Sequence, residues 1–212
     1  MAIKLMVFDF DGTLVDTFEP LLKIVHRLAD EFGYPAPTSE QIEHFKNLPS
    51  REIIKCVGVD LIKIPYLLRR VKLELNKEMS DVKLIPGIQE TLTQLKQEGV
   101  QLGIITSNSK DNVLTVLEKQ GGKELFNFIY AETSLFGKHR TINKLLKQQK
   151  NRPDEMIYVG DETRDIEAAK KSKIKVIAVS WGFNSKQALL AKNPDFLIDR
   201  PQSLAWCLNG IK

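Results

Sequence analysis

Cysteine is nearly absent: the 212-residue chain holds two, Cys56 and Cys207. They lie far apart and match no metal-ligand spacing, which excludes a disulfide framework, fits a reducing compartment and leaves both as small hydrophobes. Long apolar runs are missing too. None approaches the ~18 residues that span a bilayer, and the run over 1–7 meets Asp9 too early for a signal peptide. A cytoplasmic protein with no membrane contact is expected. Charge of one sign is also lacking: Lys plus Arg exceed Asp plus Glu by 31 to 27, and the net +4 is spread along the chain without an arm or tail. The densest basic stretch, Lys123 to Lys150, reads as a solvated helix face, so nucleic acid is not expected as a partner. Neither the P-loop nor the dinucleotide glycine fingerprint occurs, and there is no internal repeat or low-complexity segment.

What is present is an ordinary globular composition, with 42% hydrophobic and 27% charged residues. Short, nearly continuous apolar runs recur. Ile3 to Phe10 ends in Asp-Phe-Asp-Gly; Val100 to Ile105 ends at Thr106-Ser107-Asn108; Phe128 to Ala131 ends at Glu132; Met156 to Val159 ends at Gly160-Asp161; Ile174 to Val179 ends at Ser180. Runs of this kind are strands buried on both faces. Helical patterns separate them, over Pro86 to Glu98 with Gly99 behind it, Ser109 to Gln120, and Thr141 to Gln148. Strands alternating with helices predict an α/β protein with a parallel sheet, whose ligands bind beyond the carboxyl ends of the strands. From Asp16 to about Ser80 the alternation stops. Helical periodicity and Pro35, Pro37, Pro49 and Pro65 replace it, which predicts a helical insert after the first strand.

Carboxylates gather at two of the strand ends. Asp9 and Asp11 sit two residues apart; with side chains on one side their repulsion is costly, and a divalent cation such as Mg²⁺ would relieve it. An Asp-Gly turn accounts for the same residues without metal. The second cluster, Gly160-Asp161-Glu162-Thr163-Arg164-Asp165, ends another strand. Asp165 in it is read either as a helix-start acid or as part of a metal site converging with Asp9. Thr106, Ser107 and Asn108 offer a hydroxyl and backbone N–H groups to phosphate oxygens, or simply cap the next helix.

The string Asp9-Phe10-Asp11-Gly12-Thr13-Leu14-Val15-Asp16-Thr17 resembles the first motif of the haloacid-dehalogenase-like phosphatase superfamily. Thr106, Lys138 and Gly160-Asp161 with Asp165 resemble its second, third and fourth motifs, in the same order. The helical stretch after the first motif is similar to the cap of the phosphoglycolate-phosphatase-like branch. The resemblance implies a three-layer Rossmann-like parallel sheet core, residues 1–14 and 81–212, with an all-helical cap, residues 15–80, inserted in it.

Residue roles follow from the resemblance. Asp9 is implied as the nucleophile that forms an aspartyl-phosphate, and Asp11 as the acid that protonates the leaving alcohol and then deprotonates water. Mg²⁺ is implied as the cofactor, held by Asp9, the Asp11 backbone carbonyl and Asp161, with Asp165 supporting the metal or orienting Lys138. Thr106, with Ser107 and Asn108 behind it, is implied in phosphate binding. Lys138 is implied as the cation between nucleophile and phosphoryl group, although His139-Arg140 follows it where the common pattern has Pro. Arg140 is a rival; Lys138 is preferred because it follows Gly137 in a loop, whereas Arg140 begins the next helix.

The insert is expected to select the substrate, with Arg51 in Leu48-Pro49-Ser50-Arg51-Glu52 reaching its anionic end. His26, His44 and His139 match no general-base arrangement, and Trp181 and Phe183 are expected to pack. The expected activity is hydrolysis of a small phosphorylated metabolite, 2-phosphoglycolate first, by a monomer or dimer. A phosphosugar mutase using the same pair of aspartates is an alternative. A phosphate- and metal-binding signalling or scaffold protein is an alternative of another class.

Overall fold

The computed structural model describes residues 3–60, 62–131 and 137–210. The apolar runs form parallel strands β1 (Leu5–Phe8), β2 (Gln101–Ile105), β3 (Phe128–Tyr130), β4 (Met156–Gly160), β5 (Lys175–Val179) and β6 (Phe196–Ile198). They are ordered β3-β2-β1-β4-β5-β6 in a sheet whose strand pairs are all parallel. The expected strand end at Glu132 lies outside the described residues. β6 has no counterpart among the runs the sequence suggests, because Phe196, Leu197 and Ile198 are too few to stand out.

Side chains alternate across the sheet, so β1 divides its residues between two cores. Met6 and Phe8 join a cluster on one face and Leu5 and Val7 a cluster on the other. The first face is covered by α5 (Ile88–Gln97), α6 (Lys110–Lys119) and α10 (Ser203–Gly210), through residues such as Leu92, Val116 and Leu204. The second is covered by α7 (Lys138–Gln149), α8 (Thr163–Lys171) and α9 (Lys186–Ala191), through Leu145, Ile166 and Leu189. The result is three layers, helix on sheet on helix. Burial on both faces is why these strands read as unbroken apolar runs.

Between β1 and α5 the chain forms α1 (Phe18–Phe32), α2 (Ser39–Phe45), α3 (Ser50–Cys56) and α4 (Ile64–Glu78), and no strand among the described residues. This helical cap has a small core of Ala29, Tyr34 and Val59 with Val25, Phe32 and Leu67 against it. An ionic network supplements it: Arg27, Arg70 and Lys77 all contact Glu74, whose side chain is 10% exposed. Departing and returning segments run side by side, Asp16 donating its N–H to the Lys83 carbonyl at 3.0 Å and Ile85 to that of Leu14 at 2.9 Å.

One expectation is corrected. Lys138 does not lie in a loop: it is the first residue of α7, which begins earlier than the expected Thr141 because Gly137 serves as its N-cap. Asp165 is the helix-start acid that the sequence suggests: Glu162 is the N-cap and Asp165 sits in the first turn of α8, where its Oδ2 accepts the Glu162 N–H at 3.1 Å. Elsewhere Ser109 caps α6 by accepting the Asn112 N–H. Cys56 is exposed and Cys207 buried, and both are free thiols. Among the described residues no helix is long and apolar enough to cross a membrane.

Candidate active site

The sheet order reverses between the central strands β1 and β4, from which β2 and β3 follow toward one edge and β5 and β6 toward the other, and a crevice opens beyond the carboxyl ends of strands at such a point. Sequence places Asp9 after β1 and Asp161 after β4. The register pairs Phe8 with Val159, and the Asp9 N–H donates to the Val159 carbonyl at 2.8 Å, so the two strand ends are level. α8 then turns Asp165 back toward them. One carboxylate oxygen from each of Asp9, Asp161 and Asp165 lies within 4.8 Å of the others, and all three residues are buried.

Lys138 enters this cluster from the start of α7. Its Nζ is 2.5 Å from Asp9 Oδ2 and 2.6 Å from Asp165 Oδ1, with the lysine side chain 2% exposed. Burial pulls the ammonium pKa down, but Asp165 and then Asp9 outweigh it and leave it above the ordinary 10.5. Arg140 is exposed on the same helix, and the cation paired with Asp9 and Asp165 is Lys138. Geometry therefore decides between the two cations. Lys138 could be distinguished in sequence only by its neighbour Gly137, since both precede the same apolar helix face.

Asp161 is held from two sides. Its Oδ1 accepts the Thr13 hydroxyl at 2.6 Å and its Oδ2 the Phe183 N–H at 2.8 Å. Burial, with Glu162, Asp9 and Asp165 nearby, raises its pKa well above 3.8. Asp165 is pushed up to about 6 by burial, against the pull of Lys138. Buried carboxylates that remain this reluctant to ionise form a hard-oxygen donor set that a divalent cation would satisfy. The unsatisfied Oδ2 of Asp9, which meets Lys138 as a charge contact without hydrogen-bond geometry, fits the same donor set.

Asp11 points elsewhere. Gly12, at φ 72°, turns the chain after β1, and the Asp11 carboxylate receives Asn108 Nδ2 at 3.0 and 3.1 Å. Although the residue keeps some exposure, burial of its carboxyl raises the pKa above 3.8 against the Asn108 amide and the Thr17 hydroxyl. A carboxyl so placed can hold or release a proton closer to neutrality than an ordinary aspartate.

Thr106 is fully buried at the end of β2, and its hydroxyl accepts the Asn108 N–H at 3.0 Å. The Asn108 side chain is committed to Asp11 through Nδ2 and to Ser109 and Asn112 through Oδ1. Ser107 is half-buried between them. Arg51 is not in the carboxylate cluster: it lines a cleft of about 300 Å³ between the start of α3 and α7–α8, together with Ser50, Lys138, His139, Arg164 and Lys171. Sequence reading missed the roles of Thr13, Phe183, Glu162 and Asn184. Phe183 acts through its backbone, which carries no side-chain signal, and Trp181 packs on the core as expected while donating its indole N–H to the Thr13 carbonyl.

Comparison with known proteins finds matches along nearly the whole chain. The model of the haloacid dehalogenase-like hydrolase family matches residues 6–179. A phosphoglycolate phosphatase of Synechococcus elongatus is 36% identical over 202 residues, covering 95% of each chain. One from Vibrio vulnificus is 28% identical over 222 residues, covering 99% of this chain and 96% of its own. A haloacid dehalogenase-like family hydrolase from Streptococcus pneumoniae superposes with a TM-score of 0.83 over 97% of this chain and 98% of its own, at 24% identity, a likeness of fold.

Proposed function

The chain belongs to the haloacid dehalogenase-like hydrolases, and we propose that it is a cytoplasmic, magnesium-dependent phosphatase of a small phosphorylated metabolite, with 2-phosphoglycolate the first candidate. The observation that carries this reading is the pairing of a buried carboxylate on a buried lysine, Asp9 with Lys138, beside a second carboxyl, Asp11, held apart on Asn108.

Asp9 attacks phosphorus, the bond to the ester oxygen breaks, and the departing alkoxide takes the proton of Asp11. A water then gives its proton to Asp11 and attacks the phosphorus of the aspartyl-phosphate, releasing inorganic phosphate and restoring Asp9. Lys138 lets the two anions approach and stabilises charge on the phosphoryl oxygens. The Thr106 hydroxyl, whose oxygen accepts the Asn108 N–H, and the Ser107 N–H hold a phosphoryl oxygen. Asp9, the Asp11 backbone carbonyl and Asp161 would hold Mg²⁺, which when bound neutralises charge between nucleophile and phosphate. Asp165 orients Lys138, since its Oδ1 already binds the ammonium at 2.6 Å. We take the catalytic core as 1–14 and 81–212 and the cap as 15–80, with Arg51 in the cleft reading the anionic end of the substrate.

Phosphate release from 2-phosphoglycolate in Mg²⁺ buffer tests the reading, measured as kcat/KM against a panel of phosphorylated metabolites. Asp9→Asn is expected to abolish turnover. Wild-type turnover in that variant would sink the nucleophile assignment, and activity that depends on an added sugar bisphosphate would favour a mutase.

A further inference from the structure

The loop after β5 joins the cap to the acidic cluster through three successive residues. Phe183 gives its N–H to Asp161, Asn184 is buried at 4% exposure, and Ser185 gives its N–H to the cap carbonyl of Lys46 at 2.8 Å. The Asn184 carboxamide uses both ends. Its Oδ1 accepts the Thr163 N–H at 2.9 Å, at the start of α8, while its Nδ2 donates to the carbonyls of Lys46 at 3.0 Å and Leu48 at 3.1 Å. The orientation is fixed by these partners, because a flipped amide would set its oxygen against two carbonyls and its NH₂ against an N–H. Neighbouring contacts follow the same line: Ser50 Oγ donates to Glu162 Oε2 at 2.6 Å, and Phe18 of the cap packs its ring 5.8 Å from that of Phe183.

We propose that Asn184 is a positioning residue that latches the cap over the active site, tying the docked cap segment 46–49 to the helix start that carries Asp165. Its amide exploits a difference in chemistry between the two sides. Thr163 offers a donor that stays in place whatever the cap does, whereas Lys46 and Leu48 offer acceptors present only when the cap is docked. Lifting the cap leaves Nδ2 without those acceptors and frees the Ser185 N–H, so cap position and the geometry of the loop gripping Asp161 are coupled. The catalytic consequence rests on the phosphatase reading; the latch itself does not.

Two backbone amides separate the latch from a purely structural role. Asn184→Asp keeps an oxygen for the Thr163 N–H and replaces the NH₂ by an oxygen facing two carbonyls. In hydrogen exchange of the whole chain, the Ser185 amide should then exchange at least about tenfold faster, the effect of losing interactions each worth about 1 kcal/mol, while the Thr163 amide keeps its wild-type rate. Asn184→Ala should accelerate both. Unchanged Ser185 exchange in either variant overturns the proposal, as does a joint rise of both amides in Asn184→Asp, which would mark a general loss of structure. If the aspartate variant does not fold, the Ser185 amide in Asn184→Ala decides alone. With 2-phosphoglycolate as probe, Asn184→Asp should lower kcat/KM about tenfold, chiefly through KM, because fewer molecules hold the docked cap. Absence of turnover in the wild type would count against the phosphatase reading and leave the exchange result standing.

Discussion

Lys138 holds its ammonium 2.5 Å from Asp9, with the two side chains 2% and 3% exposed. An ammonium in that position cannot be lost without stranding Asp9 and Asp165 together. Lys138→Met should therefore destabilise the fold by about 3–5 kcal/mol, the usual result of breaking a buried pair, which for a chain of this length is a drop of about 6–20 °C in Tm. It should also lower kcat by about 10²–10³, as when one donor to a developing anion is removed. Adding Asp165→Asn to that variant should recover part of the Tm and none of the activity. A Lys138→Met protein as stable as wild type would show that the pair is not what holds these strand ends together.

The pKa shifts set the sign of a metal effect. Asp161 is raised well above 3.8 by burial and by Glu162, Asp9 and Asp165, and Asp165 is raised to about 6. A carboxyl raised in the folded state binds its proton more tightly there, so its ionisation costs stability. In EDTA the wild type should therefore lose stability relative to Asp161→Asn as pH rises above the ordinary carboxylate range, because the folded-state pKa of Asp161 lies well above 3.8. The asparagine is tolerated locally, because its carbonyl can take the Phe183 N–H and its NH₂ can donate to the Thr13 hydroxyl. At pH 7.5, Mg²⁺ at a hundred times its Kd should add about 2.7 kcal/mol, or about 5–11 °C in Tm. That gain should shrink as pH falls and protons compete for Asp161, and vanish in Asp161→Asn. A wild-type-to-variant difference that stays flat with pH would contradict the assignment of Asp161.

Asp11 has separable roles in the two chemical steps. An aryl phosphate has a leaving group that needs little protonation, so Asp11→Asn should still be phosphorylated on Asp9, while attack by water slows for want of a base. Stopped-flow absorbance with p-nitrophenyl phosphate should show a burst of one nitrophenolate per chain, then a steady rate about 10²–10⁴ below wild type. Steady turnover at the wild-type rate would remove Asp11 from the mechanism.

Much of this site is legible in sequence because strand ends are. Apolar runs buried on both faces stop abruptly, and Asp9, Thr106 and Asp161 each stand within the first residues after such a stop. What escapes is whatever depends on backbone or on a contact between distant segments. Nothing in Phe183 announces that its N–H holds Asp161, and Asn108 reads as a phosphate-binding or helix-capping residue although its amide fixes Asp11 from a position 97 residues away. The sequence pattern starts α7 too late because Lys138, His139 and Arg140 carry no apolar period; Gly137 sets the boundary instead. β6 lies at the sheet edge and spans 3 residues, too few to show a period.

Gly182 offers a test of how tightly Asp161 is held. A Cβ added there would lie 2.2 Å from Asp161 Oδ2 and 2.4 Å from its Cβ and Cγ, all within a side chain that has no free rotamer while Thr13 and Phe183 grip both oxygens. Gly182→Ala must therefore push the carboxylate out of place. The expected cost is about 1–3 kcal/mol, typical of overpacking, together with loss of most of the Mg²⁺-dependent rise in Tm. Gly33→Ala is the matched control. Its φ of 72° strains an alanine by about 1–2 kcal/mol, yet a Cβ there meets nothing within 4 Å. The two variants should thus lose similar stability in EDTA, while only Gly33→Ala regains the full magnesium shift. Equal responses to magnesium would mean that the position of Asp161 does not govern the metal.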